Sequence, residues 1–257
     1  MREWLRPVLE AIEGRSAPLR VYFRDDDAGW DDAALMHLVH LFERHDTPID
    51  LAVIPSELGV RMGRWLAARI GNRLGCHQHG FAHVDHAQRG RRSEFGEDRG
   101  YDAQLNDLRR GWLALTQRLE GRVDPIFTPP WNRCSSDTAR ALGELGFLAL
   151  SRDAGAAPLP LGALRALPVH VDWMKWRSGV APDLAVIGRQ IAAVAVAEPE
   201  AVQSLGIMLH HAVMTELDFA ALGELLGALR RESRVQRVNM RDLLDGASVA
   251  GSTRRSA

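Results

Sequence analysis

The amino-acid sequence predicts an α/β domain built as a distorted (β/α) barrel of seven or eight parallel strands. Short apolar runs alternate with amphipathic segments along most of the chain, the order that produces parallel strands joined by helices. Unusual polar residues fall at the carboxyl ends of the predicted strands, where parallel α/β folds place their sites. A chain of about 250 residues suits such a barrel, and a doubly wound open sheet is the alternative.

Apolar runs and amphipathic periodicity define the individual elements. The predicted strands cover residues 19–23, 49–55, 73–79, 125–129, 147–151, 167–173, 206–211 and 235–240. The predicted helices cover residues 31–45, 57–71, 101–120, 135–146, 183–197 and 216–232, with a short helix after residue 240. No linker interrupts the pattern, so residues 1–246 are expected to form a single domain, and the small, polar residues 247–257 a flexible tail.

Composition and charge exclude several classes of protein. The 32 Lys and Arg against 33 Asp and Glu give a formal net charge of −1, without the basic excess of a nucleic-acid-binding protein. Cys76 and Cys134 match no metal-binding CxxC spacing and fit a reduced compartment. No apolar run approaches the roughly 18 residues of a membrane span, and the start of the chain lacks a secretory signal. These features predict a cytoplasmic protein, with the charged run 89–95 as a solvated loop.

Three consecutive aspartates, Asp25, Asp26 and Asp27, follow the first predicted strand. Adjacent carboxylates repel one another, and a bound cation relieves that repulsion. An exposed turn with a helix cap is the alternative explanation. Because side chains alternate along an extended backbone, Asp26 need not share the task of its two neighbours.

Residues 76–86 contain four histidines, His77, His79, His83 and His86. The i, i+4 spacing of His79 and His83 would bring two imidazoles onto one face of a helical turn. Two neutral imidazoles and one carboxylate, with open positions for water, are typical of a catalytic zinc site or a related one. His77 is expected to support these ligands from the same face of the strand, and His86 to be structural or solvent-exposed.

Later strand ends carry further candidates. One histidine of the pair His210 and His211 would act as a general acid or base after an apolar strand. The run Pro-Pro-Trp-Asn at 129–132 forms a stiff, apolar wall. Trp131 and Trp173 offer flat faces that suit a sugar ring, although core packing explains each tryptophan equally well.

In this order, the motifs resemble those of the polysaccharide deacetylases of carbohydrate esterase family 4, the nodulation-deacetylase homology domain. The five family motifs correspond to FRDDDAG, HGFAH, FTPPWN, VDW and IMLHH. Gly80 stands where the family has Ser or Thr. Thr128 stands where the family has an arginine that helps to hold the catalytic aspartate, and Arg24 or Arg133 is expected to replace it.

The resemblance implies a deacetylase-type barrel and a metal-dependent N-deacetylase. Asp27, His79 and His83 would hold a divalent metal, Zn²⁺ before other transition metals, and Asp26 would be the base. The other register, with Asp25 as base and Asp26 as ligand, stays open, as does the choice between the two late histidines for the acid. The residues assigned to substrate are Asp25, Pro130, Trp131, Asn132 and Trp173.

Two other functions fit the same sequence. One is another metal-dependent barrel hydrolase, an amidohydrolase or a phosphoesterase, because His77 and His79 form a His-x-His pair. The other is a non-catalytic carbohydrate-binding relative, because the arginine expected at Thr128 is missing. The expected partner is a small saccharide or glycan-precursor substrate, with no nucleic acid and no membrane span, and the even charge balance gives no sign of a strongly ionic ligand.

Overall fold

The fold is seen in a computed structural model that describes residues 2–179, 181–197 and 204–244. Its helices are α1 (Arg6–Glu13), α2 (Asp32–Arg44), α3 (Val60–Ala67), α4 (Tyr101–Arg118), α5 (Ser136–Glu144), α6 (Leu184–Ala195) and α7 (Glu216–Arg231). Its strands are β1 (Leu19–Ala28), β2 (Ile49–Val53), β3 (Leu74–His79), β4 (Asp124–Thr128), β5 (Ala149–Leu150), β6 (Arg165–Ala166), β7 (Val171–Asp172), β8 (Arg177–Ser178), β9 (Ala181–Pro182), β10 (Ser204–Leu209) and β11 (Val235–Arg237). The predicted tail 247–257 lies outside the described residues, as does residue 246, so the domain limits stay a prediction.

The main sheet is parallel and closes on itself as a distorted barrel. Its strand order is β6-β5-β4-β3-β2-β1-β10-β7, and β11 adds to the start of β1. The segment 165–172 joins the two ends, because β6 pairs with β5 and β7 pairs with β10. A doubly wound sheet would instead reverse its strand order at a switch point. The predicted barrel of parallel strands is therefore confirmed.

Element boundaries differ from prediction mainly where the barrel closes. The predicted strand 167–173 is replaced by β6 and β7, because the segment changes partner and Pro168 has no N–H for a ladder. The predicted strand 147–151 shortens to β5. By contrast, β1 is longer than predicted and continues past residue 23 through the aspartates to Ala28. The site residues thus begin inside a strand instead of after it.

Apolar side chains fill the barrel below the site. This interior cluster consists of Tyr22, Ile126, Ala149, Leu167, Val169, Met208, Met240 and Leu243. The buried hydroxyl of Tyr22 donates to the carbonyl oxygen of Pro168 at 2.6 Å, so its polar end is satisfied. Among the described residues, no helix has both the length and the apolar character needed to cross a membrane.

A buried carboxylate ties the C-terminal segment to the barrel. Asp50 on β2 accepts hydrogen bonds from the Met240 N–H at 2.8 Å and the Asn239 side-chain amide at 3.4 Å. Burial is the main cause that raises the pKa of Asp50 to about 7; the hydrogen bond from Met240 opposes the shift and the charge of Asp124 adds to it. The folded protein therefore keeps a proton on Asp50 under conditions in which the unfolded chain releases it.

This retained proton predicts a specific dependence of stability on pH. Because an unfolded aspartate ionises near pH 4, stability from this group is lost as the pH rises from there to the folded value. From about pH 5 to about pH 7, Asp50 should lower the free energy of unfolding by roughly 2 kcal/mol. Urea unfolding should show a smaller decline for Asp50→Asn over that range. Equal declines in the variant and the unmodified protein would contradict the prediction.

Candidate metal centre

The three aspartates lie on β1 at a break in its regular pairing. The register between β1 and β2 shifts between Asp25 and Ala28, and Asp27 has a φ of 68°. Few non-glycine residues adopt this left-handed conformation, which is found at bulges and functional sites. The break interrupts the alternation expected of a strand, so the three neighbouring carboxylates face three different partners.

Asp27, His79 and His83 converge at the carboxyl end of the barrel. The Oδ1 atom of Asp27 lies 3.2 Å from the Nε2 atom of each histidine. One ligand atom from each of the three residues lies within 4.8 Å of the other two. A carboxylate oxygen and two imidazole nitrogens are a ligand set for zinc and similar divalent metals. The structure thus brings together the three ligands that the sequence predicted.

The orientation of His79 leaves one ring nitrogen for a cation. Its Nδ1 lies 3.0 Å from the carbonyl oxygen of Thr128, which can only accept, so Nδ1 carries the hydrogen. A neutral ring would then present a bare Nε2 to the Asp27 carboxylate, so the contact is favourable only with a proton or a metal ion between them. This requirement supports a cation site at the cluster.

Electrostatics keep the Asp27 carboxylate charged. Burial alone would raise the pKa of Asp27, but the hydrogen bond with His79 and the nearby imidazoles lower it to about 2. Burial alone would lower the pKa of His79, but the Asp27 hydrogen bond and the charges of Asp26 and Asp27 raise it. Burial, followed by the charge of His79, lowers the pKa of His83. An ionised carboxylate is therefore available as a ligand at neutral pH.

His83 reaches the cluster from a loop, so the predicted helical turn is wrong. Gly80 has a φ of 56° and turns the chain away from β3, and His83 itself has a φ of 55°. The buried carboxylate of Glu94 holds this loop by accepting the N–H groups of Phe81 at 3.1 Å and Ala82 at 2.7 Å. Loop hydrogen bonds, and not helical periodicity, bring the two imidazoles together.

Glu94 also explains the glycine that departs from the family motif. A Cβ atom at Gly80 would lie 2.0 Å from Oε2 of Glu94 and 2.6 Å from Cγ of Pro130. Only 1% of Glu94 is exposed, so the prediction of a solvated loop fails for this part of 89–95. Its apolar neighbour Phe95, also buried, was the signal in the sequence that this end of the charged run turns inward.

Asp26 is held by the arginine of its own strand. Nε and Nη2 of Arg24 lie 2.8 Å from Oδ1 and Oδ2 of Asp26, two parallel charge-assisted bonds. Arg24 is fully buried and also donates to Ser151 Oγ and Asn132 Oδ1, each at 2.8 Å. Of the two arginines expected to replace the missing family arginine, Arg24 therefore fits, whereas Arg133 points its guanidinium to a loop carbonyl.

Thr128, at the position of the missing arginine, supports the histidines instead. Its hydroxyl lies 2.8 Å from Nε2 of His77, and its carbonyl bonds His79. Burial, followed by the charge of Arg24, lowers the pKa of His77 well below its usual value. His77 is thus a neutral residue beside Thr128 that stands outside the ligand group, and its support of the ligands stays a prediction.

The two late histidines have different surroundings. His211 is buried, with Nδ1 at 2.6 Å from Asp25 Oδ2 and Nε2 at 2.7 Å from the Trp30 carbonyl oxygen. Asp25 also accepts the His211 N–H, so its carboxylate is committed to this pair. That burial contradicts the substrate contact predicted for Asp25. His210 is half-buried, its charge helps to lower the pKa of Asp27, and its Nδ1 has no partner among the described residues.

Trp173 and Trp131 also differ. Trp173 is fully buried in the main core, and its Nε1–H donates to Asp218 at 3.1 Å. The predicted stacking of Trp173 on a sugar is therefore wrong. Trp131 is half-buried, and its ring centroid lies 4.4 Å from that of His83, so it stands at the mouth of the site.

The wall at 130–132 has a strained backbone. Trp131 and Asn132 have φ angles of 54° and 58°. Such conformations cost about 1–3 kcal/mol each and cluster at functional sites. Pro130 is buried and Asn132 is 9% exposed, so of these three predicted substrate contacts Trp131 offers the most surface.

We expect the cluster to bind zinc. Asp27→Asn and His79→Ala should each weaken zinc binding more than about 100-fold, because losing a ligand exceeds the 10–100-fold effect of losing an outer partner. Competition with a chromophoric chelator measures this affinity. His86→Ala is the matched control, since His86 is exposed on the same segment. Unchanged affinity in both ligand variants would refute the site.

We also expect Gly80 to be indispensable for stability. Gly80→Ala should destabilise the protein by about 2 kcal/mol or more, because its Cβ meets Glu94 and the backbone is left-handed. Gly143→Ala is the control: a Cβ there meets no atom within 4 Å, and a helical alanine stabilises by about 0.5–1 kcal/mol. Urea unfolding compares the two, and a harmless Gly80→Ala would disprove the argument.

Comparison with known proteins places the fold. No protein-family model and no curated protein matches the chain. A protein from Mycobacterium smegmatis assigned as a polysaccharide deacetylase superposes with a TM-score of 0.67 at 16% identity, covering 95% of each chain. A carbohydrate esterase family 4 pseudoenzyme from Bacillus anthracis gives 0.61 at 13% identity, covering 90% of this chain and 66% of its own.

An esterase with a bound metal ion is also among these similar structures. A family 4 acetyl xylan esterase from Clostridium thermocellum, in complex with a cobalt ion, superposes with a TM-score of 0.55 at 13% identity. The match covers 87% of this chain and 89% of the esterase. The chain therefore has the fold of the polysaccharide deacetylases and carbohydrate esterases of family 4, as its motifs predicted.

Proposed function

We propose that the chain is a divergent member of carbohydrate esterase family 4 that removes the acetyl group from an acetamido sugar or glycan intermediate. The observation that carries this proposal is the convergence of Asp27, His79 and His83 beside Asp26, a second carboxylate held by Arg24. A metal ligand set next to a fixed carboxylate is what amide hydrolysis by activated water requires.

A divalent metal suits this ligand set, with Zn²⁺ the first choice. When bound, it would supply a Lewis acid for the acetamide carbonyl and the attacking water. Asp27, His79 and His83 would hold it. The Thr128 carbonyl fixes the His79 ring so that Nε2 faces the site.

Asp26 would take the proton from the attacking water. Arg24 fixes both carboxylate oxygens, and each oxygen keeps a further lone pair for the water. Asp26 is only 3% exposed, so the water would react in a largely enclosed position. The same two bonds from Arg24 hold the carboxylate in one orientation.

His210 would deliver a proton to the departing amine. It follows β10 directly, acts electrostatically on Asp27 and is half-buried. His211 is unsuited to this step because Asp25 and the Trp30 carbonyl occupy both of its ring nitrogens. The pair of histidines thus divides into a reacting residue and one that ties β1 to the loop after β10.

The Trp131 N–H is the backbone donor best placed for the developing oxyanion. Pro130 has no N–H, and the Asn132 N–H already donates to the Pro129 carbonyl at 2.9 Å. Within the described part of the chain, the Trp131 N–H has no hydrogen-bond partner. A preorganised donor aimed at a forming oxyanion is a large contribution to acyl-transfer catalysis.

Binding of sugar and metal without turnover is the second candidate function. The tight pairing of Asp26 with Arg24 favours it, because both oxygens of the candidate base already accept hydrogen bonds from a guanidinium. An amidohydrolase-like site has less support: His77 bonds Thr128 and stays outside the ligand group, so the His-x-His pair does not act as a unit.

Acetate release from N-acetylglucosamine oligosaccharides tests the proposal. We expect activity with zinc, its loss after chelation, and at least about a 100-fold lower kcat in Asp26→Asn and His210→Gln, typical of removing a general base or acid. Both variants should retain zinc, which separates a chemical defect from a binding defect. His86→Ala should match the unmodified protein.

Two results would contradict the proposed function. Full activity after chelation or in Asp27→Asn would refute a metal-dependent mechanism. Zinc and sugar binding without acetate release in the unmodified protein would establish the non-catalytic alternative.

A further inference from the structure

A cleft of about 530 Å³ opens beside the candidate metal centre. Trp131 and Asn132 line it, and Trp131 also packs against His83, so the cleft continues directly from the site. Its remaining walls come from the loops that follow β4, β5 and β7 and from the charged run 89–95. Loops at this end of a barrel commonly bind the parts of a substrate that do not react.

Cations outnumber carboxylates in the lining of this cleft. Arg91, Arg133, Arg152 and Lys175 contribute positive charge, whereas the acidic residues are Asp153 and Asp172. Another lining residue, His170, adds no charge at neutral pH, because burial lowers its pKa. The cleft is therefore locally positive in a chain whose formal net charge is −1.

Two of the four cations donate hydrogen bonds to backbone carbonyl groups, which carry no net charge. Arg133 donates to the Arg92 carbonyl oxygen at 2.8 Å, and Arg152 to the Ala157 carbonyl oxygen at 3.0 Å. Among the described residues, none of the four forms an ion pair with a carboxylate. Burial, followed by the charge of Arg91, lowers the pKa of Arg133, and the charges of Asp153 and Asp85 oppose the shift.

We propose that this cleft binds an anionic substituent, a phosphate or a carboxylate, on the same acetamido sugar whose amide reaches the metal centre. Guanidinium groups match both anions with paired N–H donors. The ring of Trp131 lies between the two places and suits the apolar face of a sugar ring. The inference rests on the proposed deacetylase function and adds its substrate class: a charged sugar.

The span of the cleft supports one ligand instead of two separate ones. The guanidinium carbon of Arg92 lies 5.2 Å from the centroid of the Trp131 ring, and the centroid of the His83 ring lies 4.4 Å from the same point. Trp131 therefore touches both the ligand cluster and Arg92, the neighbour in the chain of the cleft residue Arg91. A sugar on this ring would have its acetamide on the metal side and its charged substituent on the arginine side.

Calorimetric binding to the full chain, with zinc and after chelation, tests this inference. The probes are N-acetylglucosamine, N-acetylglucosamine 1-phosphate, N-acetylmuramic acid and inorganic phosphate. We expect at least one anionic sugar to bind about tenfold or more tightly than the neutral sugar, a difference of roughly 1.4 kcal/mol. The preference should survive chelation and should weaken as salt rises, because the cations are accessible to screening ions.

Two cleft variants and one control locate the effect. Arg152→Ala and Lys175→Ala should each lower the affinity for the anionic sugar by about fivefold, within the range of a single charge-assisted contact, and leave the neutral sugar unaffected. Arg61→Ala removes an exposed arginine on α3, outside the cleft, and should change nothing. Equal affinities for charged and neutral sugars, or a preference that both cleft variants retain, would overturn the inference.

The design separates this inference from the proposed function. Binding is measured without turnover, so anion-selective binding without acetate release would sink the deacetylase proposal and leave the anion site standing. Deacetylation of neutral sugars, with no preference for charged ones in binding, would do the reverse. Tight binding of inorganic phosphate that disappears on chelation would assign the anion to the metal and overturn the cleft.

Discussion

The buried ion pair between Arg24 and Asp26 organises the functional end of the barrel. A guanidinium with no exposure must have its charge and its N–H groups satisfied inside the protein. Asp26 accepts two of these hydrogen bonds, and Ser151 and Asn132 accept others. The Arg24 side chain therefore links β1 to the segments that follow β4 and β5. Breaking such a pair costs about 3–5 kcal/mol. The strained wall at Asn132 persists because this pair holds it.

The same logic separates three adjacent carboxylates. Each aspartate faces its own set of cationic or ionisable partners: Asp25 meets His211, Asp26 meets Arg24, and Asp27 meets His79 and His83. The shift in β1 pairing provides the different directions. Burial alone would lower the pKa of His211, but the charge of Asp25 and the hydrogen bond with it raise the pKa to about 9. Only Asp27 is left for a metal ion.

The sequence contained much of this arrangement, but only where local pattern decides the outcome. Helical periodicity located every helix except α1, and Ser135, at the start of the predicted helix 135–146, caps α5 through a capping box. Strand ends located the site because chain direction in a parallel sheet fixes which edge is polar. The burial of individual side chains could not be predicted, because Glu94 and Trp173 are held by partners distant in the chain. The predicted strand 167–173 is replaced by β6 and β7 because the two ends of the barrel need different partner strands. No short stretch of sequence contains that information.

The net charge of the chain was also a poor guide to the charge of the site. A total of −1 suggested no ionic ligand, because composition sums charges that the fold keeps apart. Next to the metal centre, Asp25 and Asp26 are already paired with His211 and Arg24. In the adjoining cleft, Arg152 and Lys175 form no ion pair among the described residues, and the four cations of the lining outnumber its two carboxylates. Clefts focus field lines from one sign of charge. The charge that a substrate meets therefore depends on which cations already have an ion-pair partner inside the barrel. Arg24 has such a partner in Asp26.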